Sequence, residues 1–284
     1  MAKHKTAAAP KPLDLDLREG QSLELLKELH ILTREGKINQ DSRRKLKQVY
    51  HLFQFIEKIL QELPASEAGA SLADHGAGKS YLGFIIYDLF FKALGKGTIY
   101  GIETRSELVV ASQALAQRLG FERMRFLNLT VAESARSQDL PERIDVVTAL
   151  HACDTATDDA IVFGLQKQAR FMVLVPCCQA EVAACLRQHK ALNLTRTPLA
   201  ELWRHPLHTR EMGSQLTNVL RCLYLEAMGY QVTVTELVGW EHSMKNELIL
   251  AKKKPPSNAN LKAKEQLHHL LEEFQLESLK HRFQ

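Results

Sequence analysis

The run ADHGAGKS at 73–80 holds the side chains whose types and spacing could do the most chemistry. Gly76 and Gly78 let a backbone turn tightly and come close to a ligand that side chains would hold off. Two ligands compete for such a loop. Gly78-Lys79-Ser80 is also the end of a phosphate-binding loop, with Ala73 standing where that loop's first glycine belongs. Against that reading, Asp74 would place a carboxylate in a cradle for triphosphate, and in RIDVVTAL the acid Asp145 begins the apolar run instead of ending it, where magnesium would need it. An acid ending a first strand suits a cationic amino-acid moiety, and Glu103, ending TIYGIE, suits the two hydroxyls of a ribose. Together they describe S-adenosylmethionine. A purely structural turn is the third reading.

A second group of reactive side chains lies further along. His151, with an ordinary pKa of about 6.5, is suited to taking a proton from a hydroxyl or amine, or equally to a hydrogen bond at a strand end. Asp154 offers a substrate-facing acceptor, while Thr157 is the expected cap of the helix that follows. Cys177 and Cys178 are adjacent, and adjacent strand residues point to opposite faces, so one zinc ion is not expected to take both. A covalent cysteine intermediate is not required for O- or N-methyl transfer. The preferred account is two packed thiols, Cys177 bordering the substrate pocket, with Cys178 and Gln179 beside it.

Residues 186–221 carry Arg187, Lys190, Arg196, Arg204, Arg210 and Arg221 against Glu201 and Glu211, a local +4 that equals the formal charge of the whole chain. With Trp203, His189, His205 and His208 the mixture suits phosphate contacts and base stacking; the alternative is a solvated loop with its tryptophan turned inward. A second basic run, RRKLK at 43–47, points the same way, so RNA is the expected partner. Lys245 and Asn246 precede the last strand at the same end of the expected sheet, to touch substrate or to shape a hairpin.

These groups need a scaffold. Strands are expected at 71–74, 97–102, 124–127, 144–149, 171–175, 230–237 and 247–252, with helical periodicity at 81–94, 108–119 and 157–168. Strand and helix in alternation argue for an α/β fold: a Rossmann-like, doubly wound, seven-stranded sheet, mostly parallel, with one antiparallel edge strand. The expected division is a disordered tail at 1–17, an N-terminal helical section at 18–68, the catalytic domain at 69–254 and a linker with a C-terminal helix at 255–284. That last helix, reading from 261 to 279, is expected to pack back on the domain.

Composition limits the field. With 45% hydrophobic and 25% charged residues, collagenous and wholly disordered classes drop out. The longest near-apolar stretch, 82–94, is broken by Asp88 and Lys92 and falls short of the ~20 residues that cross a bilayer, so no membrane partner is expected. The start MAKHKTAAAPKP lacks the apolar run of a secretory signal, and five cysteines, odd in number, make no disulfide framework; a cytoplasmic location is expected.

With DHGAGK at 74–79, LHACDTATDD at 150–159 and VPCCQ at 175–179, the sequence resembles the class I S-adenosylmethionine-dependent methyltransferases. Within them it looks like the methyltransferase-domain family with D-x-G-x-G-K, His-x-Cys and Cys-Cys motifs. The resemblance implies that Asp74, Gly76, Gly78 and Lys79 line the methionine part of the cofactor, Glu103 its ribose, and Asn128 with Leu129 its adenine. It also implies that His151, Cys153 and Asp154 border the transferred methyl. The chain is more distantly similar to eukaryotic tRNA 2′-O-ribose methyltransferases, from which it departs with Asp154 for a usual glycine and Gln179 for a histidine. The function this implies is methyl transfer, to RNA first, with a small molecule or a protein as the alternative acceptor. A nucleotide-hydrolysing P-loop protein and a catalytically silent binding module are the readings of other classes.

Overall fold

The computed structural model describes residues 17–150, 154–176, 179–191, 198–237, 247–255 and 260–283. The expected tail falls outside them except for Leu17, as do residues 256–259 of the expected linker. Seven strands, β1 (Ser71–His75), β2 (Thr98–Glu103), β3 (Met124–Asn128), β4 (Val146–Leu150), β5 (Phe171–Val175), β6 (Tyr230–Glu236) and β7 (Glu247–Lys253), form one sheet in the order β3-β2-β1-β4-β5-β7-β6. The first five are parallel, and β7 runs antiparallel to both β5 and β6. Because β7 lies between β5 and β6, the edge strand is β6 and the antiparallel strand is interior.

The central strands are buried on both faces, and their side chains alternate between two cores. Leu72, Val146 and Val173 point to one, Ala73, Val147 and Leu174 to the other. Helices α2 (Gln40–Glu62), α3 (Tyr81–Ile86) and α5 (Ser106–Arg118) cover the first face, with α6 (Val131–Arg136) following β3. On the second face lie α7 (Thr155–Gln166), α8 (Glu181–Ala191), α9 (Pro206–Ala227) and α10 (Leu261–Glu273). The direction of winding changes between β1 and β4, where the connections leave to opposite sides and open a crevice at the strands' carboxyl ends.

The N-terminal helical section consists of two helices. α1 (Leu23–Glu28) is capped by the Ser22 hydroxyl, and Gly36 turns the chain with φ +81° before Asn39 caps α2 through Ser42 N–H at 2.7 Å. Leu46, Val49, Phe53, Ile56 and Leu60 then bury one stripe of α2 in the same core as the sheet. α3 runs on through a π-helical turn (Tyr87–Phe91) into α4 (Lys92–Leu94). Inside that turn the Asp88 carboxylate accepts hydrogen bonds from Ser22 N–H at 2.7 Å and Lys92 Nζ at 3.2 Å, which ties α1 to the domain.

At the other end, α10 packs on α9 with Leu267 and Leu271 inward, and Phe274 meets Trp203 at 5.6 Å between ring centroids. Gln275 turns with φ +55° into a 3-10 segment, Glu277–Arg282, so helix does not continue to 279. Among the described residues no helix is long and apolar enough to cross a membrane.

Candidate active site

Asp74, one residue before the end of β1, is 2% exposed. Its carboxylate accepts from Thr148 Oγ1 at 3.0 Å and Ser80 Oγ at 3.1 Å. Burial pushes its pKa up to about 6, against the pull of those hydroxyls and of Gly83 N–H, while the charge of Glu103 adds to the rise. Gly83 lets this happen: a Cβ there would stand 2.5 Å from Ser80 Oγ. The next residue, His75, points to the opposite face and packs against Phe163; burial holds it neutral, with a pKa lowered to about 4. Gly76 and Gly78 take φ of +67° and +57°, a region glycine enters freely, so the loop's backbone borders the crevice without side chains of its own.

Glu103, at the end of β2, sits beside that loop. One carboxylate oxygen accepts from Gly78 N–H at 2.8 Å and Arg105 Nη2 at 3.1 Å, the other from Arg105 N–H and Nε, both at 3.0 Å. Burial would raise its pKa, but these hydrogen bonds and the guanidinium outweigh it and bring the acid down to about 2. Asn128, one strand further, donates to the carbonyls of Glu103 and Thr104 at 3.0 and 2.8 Å and so fixes the turn after β2. Leu129 is half-buried against the second core.

A cavity of about 260 Å³ opens over the loop, lined by Asp74, Gly76 and Gly78 below and by Lys45, Gln48 and Val49 of α2 above. Tyr81, Arg105 and Leu150 close its sides. Neither Asn128, Leu129 nor Lys79 lines it, and Lys79 is exposed. This enclosure fits the amino-acid end of S-adenosylmethionine: a buried acid for the ammonium, bare backbone beside it, and an apolar wall. Glu103 does not line the cavity either, and both its oxygens are taken by Gly78 N–H and Arg105. The roof was not readable in the sequence, since Lys45 and Gln48 flank an ordinary apolar stripe.

The strand ends β4 and β5 are joined differently. His151, Cys153, Cys177, Cys178, Lys245, Asn246 and Arg196 lie outside the described residues, as do the side chains of His189 and Lys190. Asp154 takes φ +51° and ψ −120°, strained for a residue with a Cβ. Its carboxylate accepts from Ala180 N–H at 3.0 Å, binding the loop after β4 to the loop after β5. Its carbonyl accepts from Arg221 Nη2 at 2.8 Å. Arg221 is 1% exposed and grips Asp158 through Nε at 2.7 Å and Nη2 at 2.8 Å, and its Nη1 reaches Asn218 Oδ1 at 3.1 Å. Asn218 in turn donates to Glu247 Oε2 at 2.7 Å and accepts from Gln179 Nε2 at 3.0 Å, and Ser214 Oγ donates to Gln179 Oε1 at 2.7 Å. Both ends of the Gln179 amide are therefore occupied within the protein.

Three expectations need correction here. α7 begins at Thr155, which leaves Thr157 buried inside its first turn and not at the cap. Arg221 belongs to the interior, because the paired carboxylate of Asp158 satisfies it there. Trp203 is buried against Phe274, so it offers no base-stacking face. Arg204, His205, His208 and Arg210 stand exposed around the start of α9, with Arg204 paired to Glu201 at 3.2 Å and Arg210 to Glu211 at 2.8 Å. None of them lines the cavity.

A family model described as a methyltransferase domain matches residues 44–185, half of the 284 residues. No curated protein sequence matches the chain significantly. Among solved structures, magnesium protoporphyrin IX methyltransferase of Synechocystis PCC 6803, with bound S-adenosylhomocysteine, is 14% identical over 81% of this chain and 94% of its own, with a TM-score of 0.47. TrmK of M. capricolum, also with S-adenosylhomocysteine, is 12% identical over 74% and 73%, at 0.40. The fibrillarin pre-rRNA processing protein of Methanococcus jannaschii is 11% identical over 66% and 68%, at 0.39.

Proposed function

The chain belongs to the methyltransferase-domain family and is an S-adenosylmethionine-dependent methyltransferase, and we propose that it methylates RNA with the cofactor seated in the cavity under α2. The observation that carries the cofactor placement is Asp74, a buried acid at the floor of that cavity with no cation paired to it among the described residues. The ammonium of the methionine part supplies the missing charge, and Glu103 takes the ribose hydroxyls. When bound, the cofactor supplies an already activated methyl group on a sulfonium. The protein's share is then to bind, align and hold a proton acceptor in place.

His151 is our assignment for that acceptor of the substrate's proton, with Asp154 and Cys177 bordering the acceptor atom. Asp154 acts through its position: a strained residue anchored at both its carboxylate and its carbonyl keeps the loop after β4 at one distance from the loop after β5. Cys178, Gln179, Lys245 and Asn246 complete this side of the crevice in the same proposal. Gln179 does so by holding the β5 loop through Asn218 and Ser214.

RNA is favoured by the exposed cluster Arg204, His205, His208 and Arg210, four side chains that offer cationic or hydrogen-bonding contacts to phosphates at one helix end. A small-molecule acceptor is the second reading, favoured by the pairing of both arginines with adjacent glutamates and by the inward turn of Trp203. Transfer of labelled methyl from S-adenosylmethionine to total RNA, beside a metabolite extract freed of RNA, separates the two. RNA labelling that falls several-fold in an Arg204→Ala, Arg210→Ala double variant supports the first reading; label confined to the metabolite extract overturns it.

A further inference from the structure

We propose that Lys45 of α2 binds the carboxylate of the cofactor's amino-acid end, so that the basic run of the N-terminal helix belongs to the cofactor site. The inference rests on the reading that the cavity takes S-adenosylmethionine. An amino acid carries its ammonium and carboxylate on one carbon. Seating the ammonium on Asp74 therefore brings a second anion close to the Asp74 carboxylate, in a place largely removed from water. Like charges so near each other repel unless a cation stands between them and the solvent.

Three cations lie near enough to consider. Lys79 follows the glycine loop but does not line the cavity. Arg105 lines it, yet its guanidinium is held by both oxygens of Glu103, at the ribose end. Lys45 lines the cavity from above, its Nζ 4.4 Å from the centroid of the Tyr81 ring, the residue with which α3 starts directly after the loop. Among the described residues it makes no ion pair. The aromatic face holds the ammonium at the mouth of the cavity while leaving its three N–H donors for an incoming anion. Gln48, one helical turn along on the same face, adds an amide donor to the same space.

The test separates the amino-acid end from the rest of the ligand. Wild type, Lys45→Ala and Lys45→Arg are titrated calorimetrically with S-adenosylhomocysteine and with 5′-methylthioadenosine, which lacks the amino-acid carbon altogether. Lys45→Ala is expected to bind S-adenosylhomocysteine about tenfold more weakly and 5′-methylthioadenosine within about twofold of wild type, and Lys45→Arg to regain most of the loss. Thermal melts of the variants confirm that the exposed substitution leaves the fold intact. Equal losses for both ligands would mean that Lys45 only supports the helix, and an undiminished affinity for S-adenosylhomocysteine would mean that it does nothing there; either overturns the proposal. Wild-type protein that binds neither ligand overturns the cofactor reading itself, a different result from a wild type that binds both.

Discussion

Asp74 and Asp158 are both buried carboxylates at the carboxyl end of one sheet, and the protein treats them in opposite ways. Asp158 receives the whole fork of Arg221, two parallel hydrogen bonds at 2.7 and 2.8 Å, and so closes a network from α7 through α9 to β7. Asp74 receives two hydroxyls at 3.0 and 3.1 Å and the Gly83 N–H, with no cation paired to it among the described residues, and its pKa rises to about 6. A buried acid with its cation in place is scaffolding. One with no cation among the described residues is where we seat the cofactor's ammonium, because a ligand can bring the missing charge. The crevice thus has a rigid side, at β4 and β5, and a receptive side, at β1 and β2.

Removing Arg221 should produce the largest effect. Arg221→Met leaves Asp158 buried without a partner and is expected to lower stability by roughly 3–5 kcal/mol, read as a fall in the denaturant midpoint. A loss below about 1 kcal/mol would mean that the network is not what holds the two loops together. Asp74→Asn should do the reverse in the ligand-free protein. Its folded pKa lies above the unfolded 3.8, so its contribution to stability is fully present below about pH 4 and is lost as pH rises through about 6. At pH 7 the asparagine is therefore expected to stabilise the fold by about 1–3 kcal/mol while weakening S-adenosylmethionine about a hundredfold. Melting curves and calorimetry on the same sample test both halves, and a variant that loses stability and affinity together would erase the contrast between the two acids.

Smaller effects sharpen it. Lowering the pH from 7.5 to 5 protonates Asp74 before the cofactor can pair with it, and affinity should fall about tenfold in wild type but stay level in Asp74→Asn. Arg105, largely exposed, is expected to matter little to the fold: Arg105→Ala should cost less than about 1 kcal/mol. It should nonetheless tighten cofactor binding about two- to threefold, by freeing the Glu103 oxygens. A weakened affinity would show that the guanidinium serves the ligand directly.

The receptive side was legible in the sequence because it is local. Asp74, Gly76 and Gly78 sit in one short run, and Glu103 ends the next strand, so spacing alone brings them together. All seven strands lie within two residues of their expected bounds, since alternation and apolar runs are also local signals. The rigid side was not legible. Arg221 and Asp158 are 63 residues apart, and nothing in either neighbourhood tells a buried arginine from the exposed Arg210 on the same helix. Trp203 failed for the same reason: composition placed it among cations, while Phe274, far along the chain, drew it inward. The roof over the cavity was hidden because packing, not helix periodicity, decides what a helix covers.

That roof has a consequence for how the protein is made. The stripe of α2 that faces the sheet is completed by Phe84, Val173, Leu237 and Leu248, all synthesised later and some of them nearly two hundred residues later. While translation proceeds, this helix leaves the ribosome with Leu46, Val49, Phe53 and Ile56 uncovered, a greasy surface waiting for its cover. The segment that roofs the cavity is thus open to chaperones and to premature association during synthesis.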